Sequence, residues 1–295
     1  MMTYILHLFI LFGIFSILAI SLDVTLGYTG LFNIAHAALW GIGAYASGLL
    51  TLRLGLSVWA ALLVSGIVTA SFSFLLGLSV LRVKSDYLAL VTLGCGVIVV
   101  DVARNWIELT GGPRGLYDIP YPVVFGYTIS DPAEYAVIVL LLLITTYLIL
   151  RRVVRSSFGR VLEGIREDEV RASVLGINTD SYKVQALMLS SFFAGISGGL
   201  YAHYLGVIDP NRFTITSSFL IISMVIIGGP ASLKGPLVGA AIFVLLPEAL
   251  RFLNLTSEKM AALRQIIYAL LLLLILIYRP QGILGKATLV KRQKK

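Results

Sequence analysis

The chain has 295 residues, 58% of them hydrophobic and only 13% charged, with a formal net charge of +8 and a mean hydropathy of +0.93. Soluble domains carry about 25% charged residues, so this composition excludes a soluble globular enzyme. The basic balance would suggest nucleic acid in a soluble protein, but here Lys and Arg gather in a few loops between apolar runs, the bias of cytoplasmic loops in membrane proteins, and no nucleic acid partner is expected.

The opening run "MMTYILHLFILFGIFSILAI" lacks a basic flank and a small-residue cleavage site, so it is expected to be a retained first span. Crossing the hydrocarbon core takes about 20 apolar residues. In chain order the segments 4–26, 31–52, 58–81, 86–108, 134–151, 184–206, 214–229, 236–253 and 262–279 qualify. The run 214–229 is short and ends in "GGP", and 31–52 is rich in glycine, so either is open to being broken or re-entrant. The expected architecture is an all-α polytopic membrane protein with about nine transmembrane helices, eight to ten being compatible. It forms one transmembrane domain over 1–285, followed by a basic tail at 286–295.

Orientation follows from Arg151, Arg152, Arg155, Arg160, Arg166, Arg171 and Lys183 in the middle of the chain, and from Arg279, Lys286, Lys291, Arg292, Lys294 and Lys295 at its end. Both clusters are expected in the cytoplasm, as are Arg82 and Lys84. Counting back then places the N-terminus outside, the C-terminus inside, and the Gly- and Pro-rich loop 109–133 as the largest external loop.

Intramembrane polar groups are functional candidates because they are costly to bury. Asp23 lies at the end of the first span, as a helix-end partner or a relay. Asn33 and His36 are three apart in the second span, a spacing for hydrogen bonds across a helix interface. Asp101, Arg104 and Glu108 form an i, i+3, i+7 stripe late in the fourth span, either a neutralised helix end or the lining of an outer vestibule. Glu248 and Arg251 repeat the i, i+3 spacing. Small residues four apart, Ala37/Gly41, Gly43/Ser47, Ala44/Gly48 and Gly195/Gly199, are the pattern of helices packed backbone to backbone in lipid.

The insert 152–183 is too charged to cross a bilayer, since each central Arg or Asp costs about 2.5–3.5 kcal/mol on insertion scales. Within it, Glu167 or Asp168 is placed to cap a turn through Val170 and Val174, Gly176 stands at its C-terminal end, and Thr179 or Asp180 is placed to cap the next helix. The alternative is an ordinary solvated loop. No phosphate-binding loop is present, because "GILGKAT" (282–288) has the wrong spacing and follows a span rather than a strand. Cys95 is the single cysteine, so it forms no intramolecular disulfide, and no Cys/His spacing suits a metal. Any ATP consumed must therefore be bound by another polypeptide, and no cofactor is expected on this chain.

Four stretches together resemble LivM-type permeases, the membrane subunits of ABC importers for branched-chain amino acids. They are "GYTGLFNIAHAALWGIGAYASGLL" (27–50), "YLALVTLGCGVIVV…NWIELTGGPRGL" (87–116), the insert through "FFAGISGGLYAHY", and "MVIIGGPASLKGPLVGAAIFVLLPEALR". The likeness covers roughly residues 20–285. It includes TGGP-x-GL with Gly111 and Gly112, GR-x-L-x3-IREDE at 159–169, and the closing "YRPQGILG". The resemblance implies a single permease domain in the bacterial cytoplasmic (inner) membrane. Its implied partners are a second, LivH-like permease, two cytoplasmic ATP-binding subunits that use ATP and Mg, and an external substrate-binding protein. It also implies a coupling helix at 159–177 that fits a groove of the ATPase, carried by Gly159, Arg160, Arg166, Glu167, Asp168, Glu169, Ala172 and Gly176. Asn33, His36, Gly41, Asp101, Arg104, Gly111, Gly112, Gly195 and Gly199 are the candidates for the pathway or for helix packing. Two departures stand out: Val97 occupies a position where the family often has Glu, and the general importer pattern E-A-A-x3-G is absent.

Two other classes fit periodicity alone. An ion-coupled secondary carrier of small solutes would titrate Asp101 or His36 and need no ATPase. A non-transporting scaffold would leave amino-acid uptake intact when removed.

Overall fold

The computed structural model describes residues 2–80, 87–124, 126–251, 257–279 and 281–285. Helix α1 (Met2–Asp23) runs on as a π-helix, Val24–Thr29. It is followed by α2 (His36–Leu54), α3 (Val58–Val80), α4 (Leu88–Asn105) and a short α5 (Ile107–Thr110). A two-stranded hairpin, β1 (Val123–Val124) with β2 (Tyr127–Thr128), precedes α6 (Pro132–Arg155). Two small helices, α7 (Ser157–Glu167) and α8 (Glu169–Val174), lead into α9 (Thr179–Leu205), α10 (Ile215–Gly228), α11 (Gly235–Arg251) and α12 (Ser257–Tyr278). Among the described residues the fold is all-α apart from that hairpin, and a helix overlies each of the nine apolar segments. Among the described residues, five helices are long and apolar enough to cross a membrane: Met2–Thr29, Val58–Leu78, Leu88–Asn105, Pro132–Arg155 and Thr179–Leu205. Helix α2, rich in glycine, alanine and serine, is not among them, and Ile215–Gly228, Gly235–Ala249 and Gln265–Tyr278 are shorter apolar helices.

Helix α9 is the axis of the bundle. Its apolar window is 78% buried against 28% for that of α4, and α1, α2 and α3 all pack on it. The reason is its small-residue run. A Cβ on Gly43 would strike the backbone of Gly195, and one on Gly198 would come within 2.7 Å of Ala44 N. One on Gly195 would lie 2.8 Å from Ser65 O, and one on Gly199 3.0 Å from the Ser47 side chain. Between apolar helices in an apolar solvent, attraction comes from such close van der Waals contact. Gly41 differs from the sequence expectation: its open face meets the Phe213 ring, at 2.7 Å from Cγ, rather than another helix backbone.

Short polar side chains stitch the same core. Ser190 Oγ donates to Ser21 O at 2.6 Å, Ser197 Oγ to Ile14 O at 2.9 Å, and Tyr135 Oη to Leu200 O at 2.6 Å. His203 bridges Ser47 Oγ (2.9 Å) and Pro120 O (2.7 Å). Each of these hydroxyls thereby finds a partner without water, as apolar surroundings require.

The bundle has two ends. At one, the π-helical turn meets α7, and Asp23 Oδ1 accepts from Ala231 N in the α10–α11 turn (2.9 Å). Segment 281–285 pairs there with the end of α10, through Ile283 N to Ile227 O and Leu284 N to Gly228 O. At the other end Tyr4 bonds Glu248, His7 bonds Tyr204, and Arg53 donates to the carbonyls of Glu108 and Leu109. Leu116 and Ile208 exchange both backbone bonds there (3.1 and 2.9 Å). Gly111 (φ +76) and Gly112 (φ +61) supply the left-handed corners that fold the TGGP loop back on α4.

Two spans are irregular. After the π-helix, residues 30–35 are largely unwound and α2 begins only at His36, so Asn33 lies before the helix and not on one face with His36. Helix α10 has 14 residues, about 21 Å against a hydrocarbon core of about 30 Å. The missing length is 206–214, which descends along α2. Ile208 sits against Gly48 and Phe213 against Gly41, and Gly41 is about 20 Å along the helix from Leu54. The helix is thus interrupted or shortened at both of the places where the sequence suggested a break.

Candidate functional site

At the end of α6 the chain reverses through Ser156, which is extended (φ −76, ψ −179). Gly159 makes the reversal possible, since a Cβ there would run into the Val154 carbonyl. Helix α7 then lays Leu162 (0% exposed) and Ile165 (4%) on the bundle and leaves Arg160 and Glu167 outside. Arg166 turns inward. Its Nη1 donates to the Gly27 carbonyl in the π-helix, and its stem covers Gly30. Burial lowers the Arg166 guanidinium from its ordinary value, and the carboxylates of Asp23, Glu163 and Glu167 act against that shift.

Asp168 (φ −162, ψ 100) breaks the helix and starts the next one. Its Oδ1 accepts from Arg171 N (3.0 Å) and its carboxylate pairs with Arg171 Nε (2.6 Å), an N-cap of the ordinary kind. Helix α8 ends in a Schellman turn: Gly176 (φ +83) donates to Ser173 O at 3.0 Å, and Ile177 N to Ala172 O at 3.2 Å. Asn178, rather than Thr179 or Asp180, caps α9, accepting from Ser181 N at 3.1 Å. Glu169 reaches back to Lys183 and to Thr179 Oγ1 (3.5 Å).

Both ends of this helix pair are therefore fixed to the bundle, and the pair is held rigid by its caps. Of the residues singled out in the sequence, Arg166, Glu169 and Ala172 face the protein's own body, whereas Arg160, Glu167 and Gly176 are exposed. The outward surface is completed by Val170 (71% exposed), Val174 (80%) and Leu175 (80%). It borders a cleft of about 760 Å³ whose walls include Arg160, Val161, Gly164, Glu167 and Arg171. Sequence reading treated Val170 and Val174 as helix formers only, because an apolar residue is normally assigned to the inside; three of them exposed together mark a surface built to be covered.

The other candidates are spread along the bundle. His36 opens α2 with Nε2 beside Ser21 Oγ (3.1 Å) and Leu18 O (3.2 Å), a hydrogen bond across the α1–α2 interface. Asn33 Oδ1 accepts from Ala35 N (3.0 Å) in the unwound entry to α2. Asp101 pairs with Arg104 at 3.6 Å, and Arg104 Nη2 donates to Asn211 Oδ1 at 2.8 Å. Glu108 leaves that stripe, because Trp106 (φ −87, ψ 72) interrupts the helix before it. The Arg251 side chain, Arg82, Lys84 and the tail 286–295 lie outside the described residues. Among the described residues no group of three or more His, Cys, Asp or Glu is placed to hold a metal ion.

The model of the family described as "Branched-chain amino acid transport system / permease component" matches residues 4–276. The high-affinity branched-chain amino acid transport system permease protein LivM of Salmonella typhimurium is 34% identical, over 92% of this chain and 68% of its own length. The probable LivM of Methanocaldococcus jannaschii is 26% identical over 95% and 92%, and the LivH of Escherichia coli 26% identical over 94% and 93%. No solved structure matches the chain significantly. The family match runs through the π-helix, the unwound entry to α2, the α7–α8 pair and the short helix α10, and the chain belongs to the branched-chain amino acid permease family.

Proposed function

We propose that this chain is the permease subunit of an ATP-driven importer and forms part of the path by which branched-chain amino acids enter the cell. It works with a second, LivH-like permease, two cytoplasmic ATP-binding subunits and an external substrate-binding protein, in the bacterial inner membrane. The observation that carries this reading is the α7–α8 pair: capped by Asp168 at the break between its helices and by Asn178 at the start of α9, anchored inward through Arg166 and Glu169, and apolar and charged on its outer surface. A motor subunit gripping Val170, Val174 and Leu175 would move both anchors together. Arg166 would draw on the π-helix at the end of α1, and Lys183 on the start of α9, the axis of the bundle. Isolated π-turns are tolerated mainly at functional sites, and one here gives α1 a place to change pitch.

In this arrangement nine segments cross the membrane: α1 to α4, α6, α9, the 206–228 segment with α10, α11 and α12. The N-terminus is outside, and the C-terminus and α7–α8 are in the cytoplasm. ATP and Mg are used by the partner subunits, and ATP binding acts by favouring one of two pathway conformations, which requires that the motor bind the two unequally. Reconstitution tests the reading. Liposomes holding all subunits, with the binding protein supplied, accumulate L-leucine only with ATP, and liposomes holding this chain alone accumulate none. Gradient-driven uptake by the isolated chain would overturn it in favour of a secondary carrier.

A further inference from the structure

The segment 206–214 combines features that lipid does not tolerate. It is broken backbone, extended as far as Asp209 and then a single 3-10 turn (Pro210–Phe213), lying below the outer end of α2 between the levels of Gly48 and Gly41, and its residues Asn211 and Arg212 are exposed. Beside it, α4 presents Asp101 and Arg104, with side chains 55% and 39% exposed. Arg104 is tied to Asn211, so the two elements form one surface. Helix α10 continues it downward with Thr216 exposed and Phe219 48% exposed. Non-helical backbone and charged groups at membrane depth occur only against protein or water. Elsewhere the outward faces of the long helices are mostly apolar, as at Ile67, Leu75, Leu141 and Ile144.

We infer that this face, formed by the second half of α4 and by residues 209–219, is a wall of the translocation pathway that receives the zwitterionic end of an apolar amino acid. The inference rests on the importer reading and gives it a place on the chain. An amino acid crossing the membrane keeps an ammonium and a carboxylate, and stripping both of water without partners is prohibitive. Asp101 and Arg104 supply one charge of each sign, 3.6 Å apart. The pair opens to hold the ammonium on Asp101 and the carboxylate on Arg104, and closes again once the substrate has passed. Val97, one turn below Asp101 on the same side of α4, and Phe219 on α10 give the branched side chain an apolar surface, both being partly exposed (36% and 48%).

The test uses the complete importer in proteoliposomes, with Cys95→Ala as background and single variants Asn211→Cys, Thr216→Cys and, as a lipid-facing control, Ile67→Cys. The probe is a membrane-impermeant, positively charged methanethiosulfonate added outside. Asn211→Cys and Thr216→Cys are expected to react about tenfold or more faster than Ile67→Cys, because only they meet water. L-leucine with its binding protein slows that reaction, and modification stops leucine uptake. Two sites on different elements guard against one misassembled variant. If both react no faster than Ile67→Cys while leucine uptake continues, the face is covered by protein or lipid and the inference is wrong. Fast modification that leaves uptake intact also overturns it, as a wet surface off the path. If the Cys95→Ala importer shows no ATP-dependent leucine uptake at all, the importer reading fails instead, and the labelling then reports a hydrated face with no assigned amino acid.

Discussion

Replacing Gly43 by alanine tests the packing at the axis of the bundle. The added Cβ would lie 2.7 Å from the Gly195 carbonyl carbon, where ordinary contact begins at 3.4 Å. Gly195 Cα and O would lie closer still, so helices α2 and α9 must part by more than about 0.7 Å locally, a gap that forfeits a quarter to a half or more of the attraction of each facing atom pair. Overpacking by one carbon costs about 1–3 kcal/mol. Here the obstacle is backbone, which has no rotamer to escape into, so about 2–3 kcal/mol is expected, roughly a 30- to 150-fold loss in the folding equilibrium. Gly94→Ala is the control: it adds the same carbon to α4, where nothing lies within 4 Å, and gains up to about 1 kcal/mol of helix propensity. Apparent melting of the detergent-solubilised complex, followed by fluorescence-detected size exclusion, reads both. Gly43→Ala is expected to melt well below the parent, and Gly94→Ala at or above it. Equal melting of the two variants would refute the close approach of α2 and α9.

At the coupling end, Glu169→Lys is predicted to cut leucine uptake several-fold by placing two cations together. Adding Lys183→Glu should restore at least about half of it, since the pair is re-formed with its signs exchanged; an uptake assay in which the double variant is no better than the single one would show that the pair does not carry the movement. Asp168→Ala removes the cap of α8 and is expected to cost about 1 kcal/mol locally. That should appear as roughly fivefold faster amide exchange over 169–175, while Asp168→Asn, which keeps the cap, stays near the parent rate. A cysteine at exposed Ser173, again with Cys95→Ala, should react with an impermeant thiol reagent from the cytoplasmic side alone, and labelling from outside would invert the topology.

Much of this was readable from residue types. Runs of apolar residues predicted helix in each of the nine places, because a stretch that must satisfy its own backbone in lipid has little choice but helix, and five of these helices are long and apolar enough to cross a membrane among the described residues. Glu167 or Asp168 at the start and Gly176 at the end marked the limits of α8, because caps are local chemistry settled within four residues, and the structure chose Asp168. The small residues of α9 announced a close approach, though not that Gly43 meets Gly195 while Gly41 meets the ring of Phe213.

What the tertiary structure decided lies at long range. Arg166 and Gly27 are 139 residues apart in the chain, and Asp23 and Ala231 are 208 apart. Which side of α7 faces home was therefore beyond any local pattern, and Arg166 and Glu169 could not be told from Arg160 and Glu167. The π-turn after Asp23 and the break at Trp106 were hidden for the same reason, whereas the shortness of the run 214–229 already showed in the sequence. Hydropathy records how much each residue avoids water, summed over a segment, and is nearly blind to where a helix is interrupted. The interruptions are set by neighbours such as Ala231, whose N–H donates to the Asp23 carboxylate, Ala103, whose carbonyl accepts from Thr110 Oγ1, and Gly41, which receives the Phe213 ring.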